Sequence, residues 1–337
     1  MATLKDVAAL AGVSIAAVSL YVTGKSHGRV SLETQHKIEQ AIAETGYVPS
    51  SAKKAQLSPE DRPLKTIALF WSIEFHPNLL GSFMSGMQNA ILETGSDADY
   101  NYVLRPYRSN QLYMHKRVLC GKQYRGFLIA NASAADIQYL QGVTPQVPVV
   151  LINRRLPAYH AVYIDSAKTG EQAAELIWEK GYRSMCTVRS QTQYIATNSR
   201  FSEFIQASRT KGIQMPNDFQ IITEDSIEGG ITAAKEYLSY PGRPPIIFAS
   251  TDLQAFGILK GLKQAGLQIP EDCAIFSYGF ERTELTKYSN PPLSVIDIST
   301  AGLANQGTRL LIEILNKGLT APQQVELSSS IVLRDSF

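Results

Sequence analysis

From Leu64 onward the chain alternates short apolar runs with helical stretches, and this alternation narrows the possible folds more than any other feature. The runs are TIALFW, YVLRPY, GFLIAN, VPVVLIN, SMCTVR, PPIIFAS and CAIFSY; between them lie FMSGMQNAILETG, AAELIWEKG, FSEFIQASRTKG and AFGILKGLKQAGL. A strand with one wet face reads apolar, polar, apolar, whereas a strand covered on both faces reads as an unbroken Val/Ile/Leu run. Unbroken runs joined by helices therefore predict an α/β fold of parallel sheets with helices on both faces. The stretch is longer than one such sheet uses, which predicts two lobes.

Before Leu64 the pattern is different. Thr3 is a good N-cap with Asp6 at the third helical position, and Leu4, Val7, Ala8 and Ala11 recur at helical spacing. Gly12 breaks this helix, and Ser14 caps a second that carries Val18 and Val22 inward. Ser31 caps a third, with Ile38, Ala41 and Ile42 as its apolar stripe and Gly46 as its stop. Two short helices around a glycine turn have the shape that places a helix in DNA. Residues 48–63 hold three prolines, three serines and mixed charge, the composition of a linker, with room for a short helix over Ser50 to Leu57. The expected organisation is an all-α helix-turn-helix head (1–47), a hinge (48–63) and a two-lobed core (64–337).

Composition restricts the functions open to such a chain. With 44% hydrophobic and 18% charged residues it reads as a soluble globular protein. A formal charge of +2 provides no global basic field, so a nucleic-acid partner has to be held locally. Cys120, Cys186 and Cys273 have no metal or redox spacing, as expected of reduced thiols in the cytoplasm. The start MATLKDVAAL lacks the pattern of a signal peptide, and no apolar stretch approaches bilayer length, so no membrane partner is expected. There is no Gly-x-Ser-x-Gly, no P-loop and no Gly-x-Gly-x-x-Gly after a strand, and the five histidines are scattered. Neither enzymatic activity nor a metal or other cofactor is expected.

Read together, DVAALAGVS, VSLETQHKIEQAIAETGYVPS, VVLINR, STDLQAFGILKGLKQAGLQIPED and PPLSVID resemble the LacI/GalR family of bacterial transcription regulators, over essentially the whole chain. The resemblance implies a periplasmic-binding-protein-like core and a homodimer on a palindromic double-stranded DNA operator. It further implies affinity set by a small-molecule effector, a sugar or sugar phosphate, in the cleft between the lobes. The implied role is repression of a carbohydrate-utilisation operon. An intracellular sugar-binding protein with a vestigial head is the competing reading.

Family positions matching Ile15, Ala16 and Leu20 commonly include polar base readers. Here they are apolar, so the bidentate Arg–guanine or Gln–adenine pair is not available to them. They either pack inside the head or meet thymine methyl groups in the major groove. Thr3, Lys5, Ser14, Ser19, Lys25, Ser31, Thr34 and Tyr47, with Leu4 beside them, are the candidate backbone contacts. Up to Leu57 the basic residues Lys5, Lys25, Arg29, Lys37, Lys53 and Lys54 face Asp6, Glu33, Glu39 and Glu44, an excess of two positive charges. The family hinge carries a leucine that wedges into the minor groove. Its position holds Gln56, and Leu57 one residue later either takes the wedge role, flanked by Lys53 and Lys54, or the operator is bent less.

SRFSEF matches the family segment that makes Arg200 the effector-binding arginine, the alternative being a surface helix arginine. FASTDLQAF brings in Thr251 and Asp252, although Asp252 could equally cap the following helix. SYGFER offers Glu281 as an acceptor for sugar hydroxyls. Trp71, Ser72 and Phe75 follow TIALFW and suit a ring-stacking wall, with a core role equally open to the aromatics. Asn153 and Arg154 follow VPVVLI, where the two lobes should face one another.

Overall fold

The computed structural model describes residues 2–23, 29–47, 64–74, 77–96, 99–191, 195–280 and 283–337. Its internal contacts divide the chain into two units, residues 1–64 and 65–337. The short helix expected over Ser50 to Leu57 lies outside the described residues.

In the first unit, α1 (Leu4–Ala11), α2 (Ile15–Val22) and α3 (Leu32–Thr45) enclose a small core of Val7, Ala8, Val18, Ile38 and Ala41. Local chemistry sets each helix end. The Thr3 hydroxyl oxygen accepts from the Asp6 amide (3.4 Å) while an Asp6 carboxylate oxygen accepts from the Thr3 amide (2.7 Å), a reciprocal cap at the helix start. Ser14 and Ser31 accept from the amides of Ala17 and Thr34 in the same way. Gly12 and Gly46 both stop a helix at φ 62°, a left-handed conformation that costs glycine no Cβ clash.

The second unit contains, in chain order, β1 (Lys65–Ser72), α4 (Pro77–Glu93), β2 (Tyr100–Tyr107), β3 (Gly126–Ala130), α5 (Ala134–Gln141), β4 (Val149–Ile152), β5 (His160–Ile164) and α6 (Ser166–Glu179). It continues with β6 (Cys186–Ser190), α7 (Ile195–Thr210), β7 (Gln220–Thr223), α8 (Ile227–Ser239), β8 (Ile246–Ala249) and α9 (Asp252–Gln264). It ends with β9 (Ala274–Gly279), α10 (Thr283–Tyr288), β10 (Ser294–Asp297), α11 (Thr300–Lys317), β11 (Gln324–Leu327) and β12 (Ser330–Val332).

The strands form two six-stranded sheets, ordered β11-β5-β4-β3-β1-β2 and β12-β10-β9-β8-β6-β7. All pairs are parallel except β10 with β12. The unbroken apolar runs become the inner strands, and β3, β4, β5, β8 and β9 are buried along their whole length. YVLRPY becomes the edge strand β2, where Pro106 is tolerated because an edge position needs no amide on its outer side.

The chain passes between the sheets three times: at Asp165, at Ile298–Ser299 and at Ser328–Ser329. Consequently α11, which follows a strand of the second sheet, packs on α4 and on β3, β4 and β5 of the first. Thr169 and Ser329 share a hydroxyl–hydroxyl hydrogen bond of 3.0 Å beside two of these passages. In the second lobe α8 and α9 cross in backbone contact at Gly230 and Gly257. A Cβ on Gly257 would lie 2.0 Å from the Ile227 carbonyl oxygen, so the crossing admits no side chain there.

Candidate functional site

In the head, α2 presents side chains that its own core does not use. Ile15 is 49% exposed and Ala16 is exposed, so interior packing describes neither. Leu20 is half-buried but does not join the side chains packed around the head core, whereas Leu4 and Tyr47 do. The head hydroxyls are largely engaged locally: Thr3 donates to Asp6 (2.8 Å), Ser14 caps α2, and Ser31 pairs with Thr34 (2.8 Å). Ser19 is half-buried and Lys5 is exposed. Leu10 (52% exposed) and Leu32 (83%) add apolar surface that the sequence reading did not single out. Their signal was available, since neither falls on the apolar stripe of its helix.

In open α/β sheets ligands collect at the carboxyl ends of strands, where the strand order reverses. That switch lies between β1 and β3 in the first sheet and between β6 and β8 in the second. At the first, the Ser72 hydroxyl meets Glu74 (3.1 Å) and Ser109 (2.7 Å), and the Ser109 amide donates to the same Glu74 carboxylate oxygen (2.7 Å). Trp71 is 3% exposed and packs edge-on against Phe83, with centroids 5.3 Å apart, inside the large hydrophobic cluster. The core role weighed for this aromatic describes its indole.

Asn131 and Asn153 follow β3 and β4 immediately and share a left-handed backbone, φ 59° and 57°. Asparagine enters that region more readily than other residues with a Cβ, and such kinks cluster where a chain shapes a binding site. The Asn131 side-chain amide nitrogen is buried and meets no hydrogen-bond partner among the described residues. Beside it, Arg154 donates from Nε to the Ala132 carbonyl (2.6 Å) and from Nη1 to the Asn153 carbonyl (2.6 Å). Burial, then the charge of Arg200, lower the Arg154 pKa to about 10, against the opposing pull of Tyr107 and Asp136.

From the second lobe Arg200, on α7, is 1% exposed and is the largest fully buried side chain of the protein's described residues. Its Nε and Nη1 meet no hydrogen-bond partner among those residues. Aromatic rings surround it instead: the guanidinium carbon lies 5.6 Å from the Phe280 centroid and 5.9 Å from that of Tyr278, whose hydroxyl donates to the Arg200 carbonyl (3.1 Å). Burial lowers its pKa to about 10, so it remains a cation at neutral pH. The surface-arginine alternative does not describe this residue.

Thr251 and Asp252 are buried and already engaged. Thr251 is the N-cap of α9 and its hydroxyl donates to Asp225 (2.6 Å), so the cap is Thr251 and not Asp252. Asp252 accepts from the Phe280 amide (3.0 Å) and ties the end of β9 to α9. Next to them Gln254 donates to the Thr223 hydroxyl (3.0 Å) and the Glu224 carbonyl (3.2 Å) and accepts from Ser250 (2.9 Å). Lys25, Lys53, Lys54, Leu57, Phe75 and Glu281 lie outside the described residues. Asn131 is the strand-end residue the sequence reading did not single out; an asparagine after a strand carries no mark of an amide nitrogen left without a partner among the described residues.

The profile described as bacterial regulatory proteins, lacI family, matches residues 3–50, and that of a periplasmic binding protein-like domain matches residues 161–337. The HTH-type transcriptional regulator CelR of Thermobifida fusca is 26% identical over 99% of this chain and 98% of its own length. The ribose operon repressor of Escherichia coli K12 is 26% identical over the whole of both chains. Among solved structures, a LacI family transcription regulator from Clostridium acetobutylicum superposes with a TM-score of 0.75 at 29% identity, covering 80% of this chain and 99% of that one. The complex of the regulator CelR with cellobiose superposes with a TM-score of 0.66 at 25% identity over the full length of both.

Proposed function

Because the chain belongs to the LacI family of bacterial transcription regulators, we propose that it represses a carbohydrate-utilisation operon in response to a sugar-like effector. In this reading it acts as a homodimer: two copies place two heads on a palindromic operator, and the effector sits between the lobes. One observation carries the proposal, the Arg200 guanidinium buried at the strand ends with two nitrogens unpaired among the described residues. An unpaired buried cation is costly, and a structure keeps one where a ligand completes its bonding. The cellobiose bound to CelR and the ribose named for the E. coli repressor support a carbohydrate as that ligand.

The coupling is one of linkage. A ligand bridging Arg200 of the second lobe and Asn131 or Asn153 of the first stabilises one separation of the lobes, and operator affinity follows that separation. Three chain passages join the two sheets, and a change in lobe separation is absorbed at these passages. In the head, Ile15, Ala16 and Leu20 read thymine methyls, while Lys5, Ser31 and Thr34 grip phosphates. The vestigial-head alternative is not favoured, since all three head helices keep their caps and Ile15 remains exposed.

The test begins by selecting duplexes from a random pool with the full-length protein. Fluorescence anisotropy on the winning duplex then follows occupancy across a salt series and a sugar panel. Selection of an A/T-rich palindrome whose occupancy changes at least fivefold with one sugar is the expected result. No enrichment at any salt, or identical occupancy with every sugar, would overturn the proposal.

A further inference from the structure

The second sheet is covered unevenly. On one face α8 and α9 pack over a cluster that includes Val188 of β6 and Ile221 of β7. On the other, α7 sits over β8, where Phe204 stacks on Phe248 with centroids 3.9 Å apart. The parallel register sets Thr187 and Arg189 of β6 beside Gln220 and Ile222 of the edge strand β7 on that second face. Arg189 and Gln220 are exposed there and Ile222 is 50% exposed, so no helix of the described residues covers this strip.

Between the bare strip and α7 lies a groove of about 710 Å³. Asn198, Ser202, Gln206 and Arg209 line it from α7 at helical spacing, a stripe of about 17 Å at 1.5 Å per residue. Phe201 and Ile205 add apolar surface from the same helix. Arg200 does not line it, which separates the groove from the site between the lobes. Its charge is one-sided. Arg189 and Arg209 both face the groove, no lining residue carries a carboxylate, and neither guanidinium makes an ion pair or hydrogen bond among the described residues. The flank of α7 towards α6 is the reverse: Glu171, Glu175 and Glu203 line it, and Lys211 pairs with Glu175.

We propose that this groove is a second ligand site, for an organic anion of about nucleotide size whose phosphate or carboxylate is held by Arg189 and Arg209. A cleft lined by one sign of charge concentrates counter-ions, and a guanidinium fork meets a phosphate or carboxylate with two parallel hydrogen bonds. The volume falls within the range of small-molecule sites, roughly 300–1,000 Å³. A bare inorganic anion leaves most of that space unused. An organic one also meets the side-chain amides of Asn198, Gln206 and Gln220, each both donor and acceptor, and the apolar surface of Phe201 and Ile205. The site is independent of what occupies the space between the lobes.

The experiment is isothermal titration calorimetry on the full-length protein at two salt concentrations. AMP, ATP, phosphoenolpyruvate and citrate are the probes, with adenosine as the uncharged control. Inorganic phosphate is the free-anion arm and hexaglutamate the acidic-peptide arm. At least one organic anion is expected to bind saturably, tenfold or more tightly than inorganic phosphate and less tightly as salt rises, while adenosine does not bind. Hydrogen exchange with that probe is expected to slow over residues 206–210 and 220–223. Arg189→Gln and Arg209→Gln should each weaken binding at least fivefold. Both arginines are exposed, so the variants should unfold at the parent's temperature and select the same duplex.

No saturable binding by any of the four organic anions would overturn this inference. So would inorganic phosphate binding as tightly as the best of them, or hexaglutamate binding more tightly than all of them. Binding that both arginine variants leave within twofold would place the anion elsewhere and overturn it equally. The exchange pattern of the unmodified protein decides the matter even if a variant fails to fold.

Discussion

The two candidate recognition surfaces of this chain are chemical opposites. The candidate DNA-reading face of α2 leaves apolar side chains in water, Ile15 above all, while the Ser14 and Ser31 hydroxyls serve as helix caps. The cleft does the reverse: its aromatic and aliphatic groups are buried, and polar atoms of Arg200 and Asn131 are buried with them without partners among the described residues. Each surface shows what its partner must bring. A duplex arrives with its own phosphates and needs methyl-sized apolar contacts, whereas a cleft ligand must arrive with acceptors. Within the cleft a second contrast separates scaffold from site. The Gln254 cluster is as buried as Arg200, but its polar atoms already bond one another.

The largest test of this contrast is Arg200→Met. It should abolish the effector response, with affinity falling at least 100-fold, about 2.7 kcal/mol. It should also leave the ligand-free protein as stable as before or more so, because an unpaired buried charge is replaced by an apolar side chain of similar length. Thermal unfolding with and without ligand measures both; a drop of several degrees in the ligand-free protein would mean that Arg200 is structural. Gln254→Leu should behave in the opposite sense, losing about 2 kcal/mol of stability through three broken hydrogen bonds. Its effector affinity should stay within threefold, as read by denaturant titration beside calorimetry. Asn131→Gly retains the left-handed turn and deletes only the amide, so affinity should fall about tenfold, roughly 1.4 kcal/mol, with little change in stability. Equal loss in both measurements would remove Asn131 from the ligand.

These contrasts were unequally visible in the sequence. The head was legible almost atom by atom, because Thr3, Ser14, Gly12 and Gly46 act on neighbours within four residues. The parallel sheets were legible too, since burial on both faces leaves unbroken apolar runs. The passages between the lobes were not. Nothing local distinguishes Ile298–Ser299, which sends α11 back to the first lobe, from a loop that stays within one. The site was legible in part. Arg200 stood out through its segment, but its isolation depends on Phe280 and Tyr278, about 80 residues away in the chain. Conversely, the sequence offers Thr251 and Asp252 as site candidates beside Arg200, with helix capping equally open to Asp252, and contacts distant in sequence engage them: Asp225 for Thr251 and the Phe280 amide for Asp252.

The smallest effect is expected in the head, and it tests the comparison from the other side. If Ile15 reads a thymine methyl, Ile15→Ala removes part of an apolar contact of about 1 kcal/mol, a roughly fivefold loss. The loss should be confined to duplexes with the A·T pair at the contacted position and vanish when that pair is replaced by G·C. It should leave the dependence of affinity on salt unchanged, because no phosphate contact is involved. Lys5→Ala should do the converse, weakening all duplexes about equally and reducing the slope of log K against log salt by about one. Anisotropy on the selected duplex and its single-pair variants separates the two patterns. Were Ile15→Ala to weaken every sequence alike, the exposed apolar face would be a positioning surface, and sequence would have to be read elsewhere on the head.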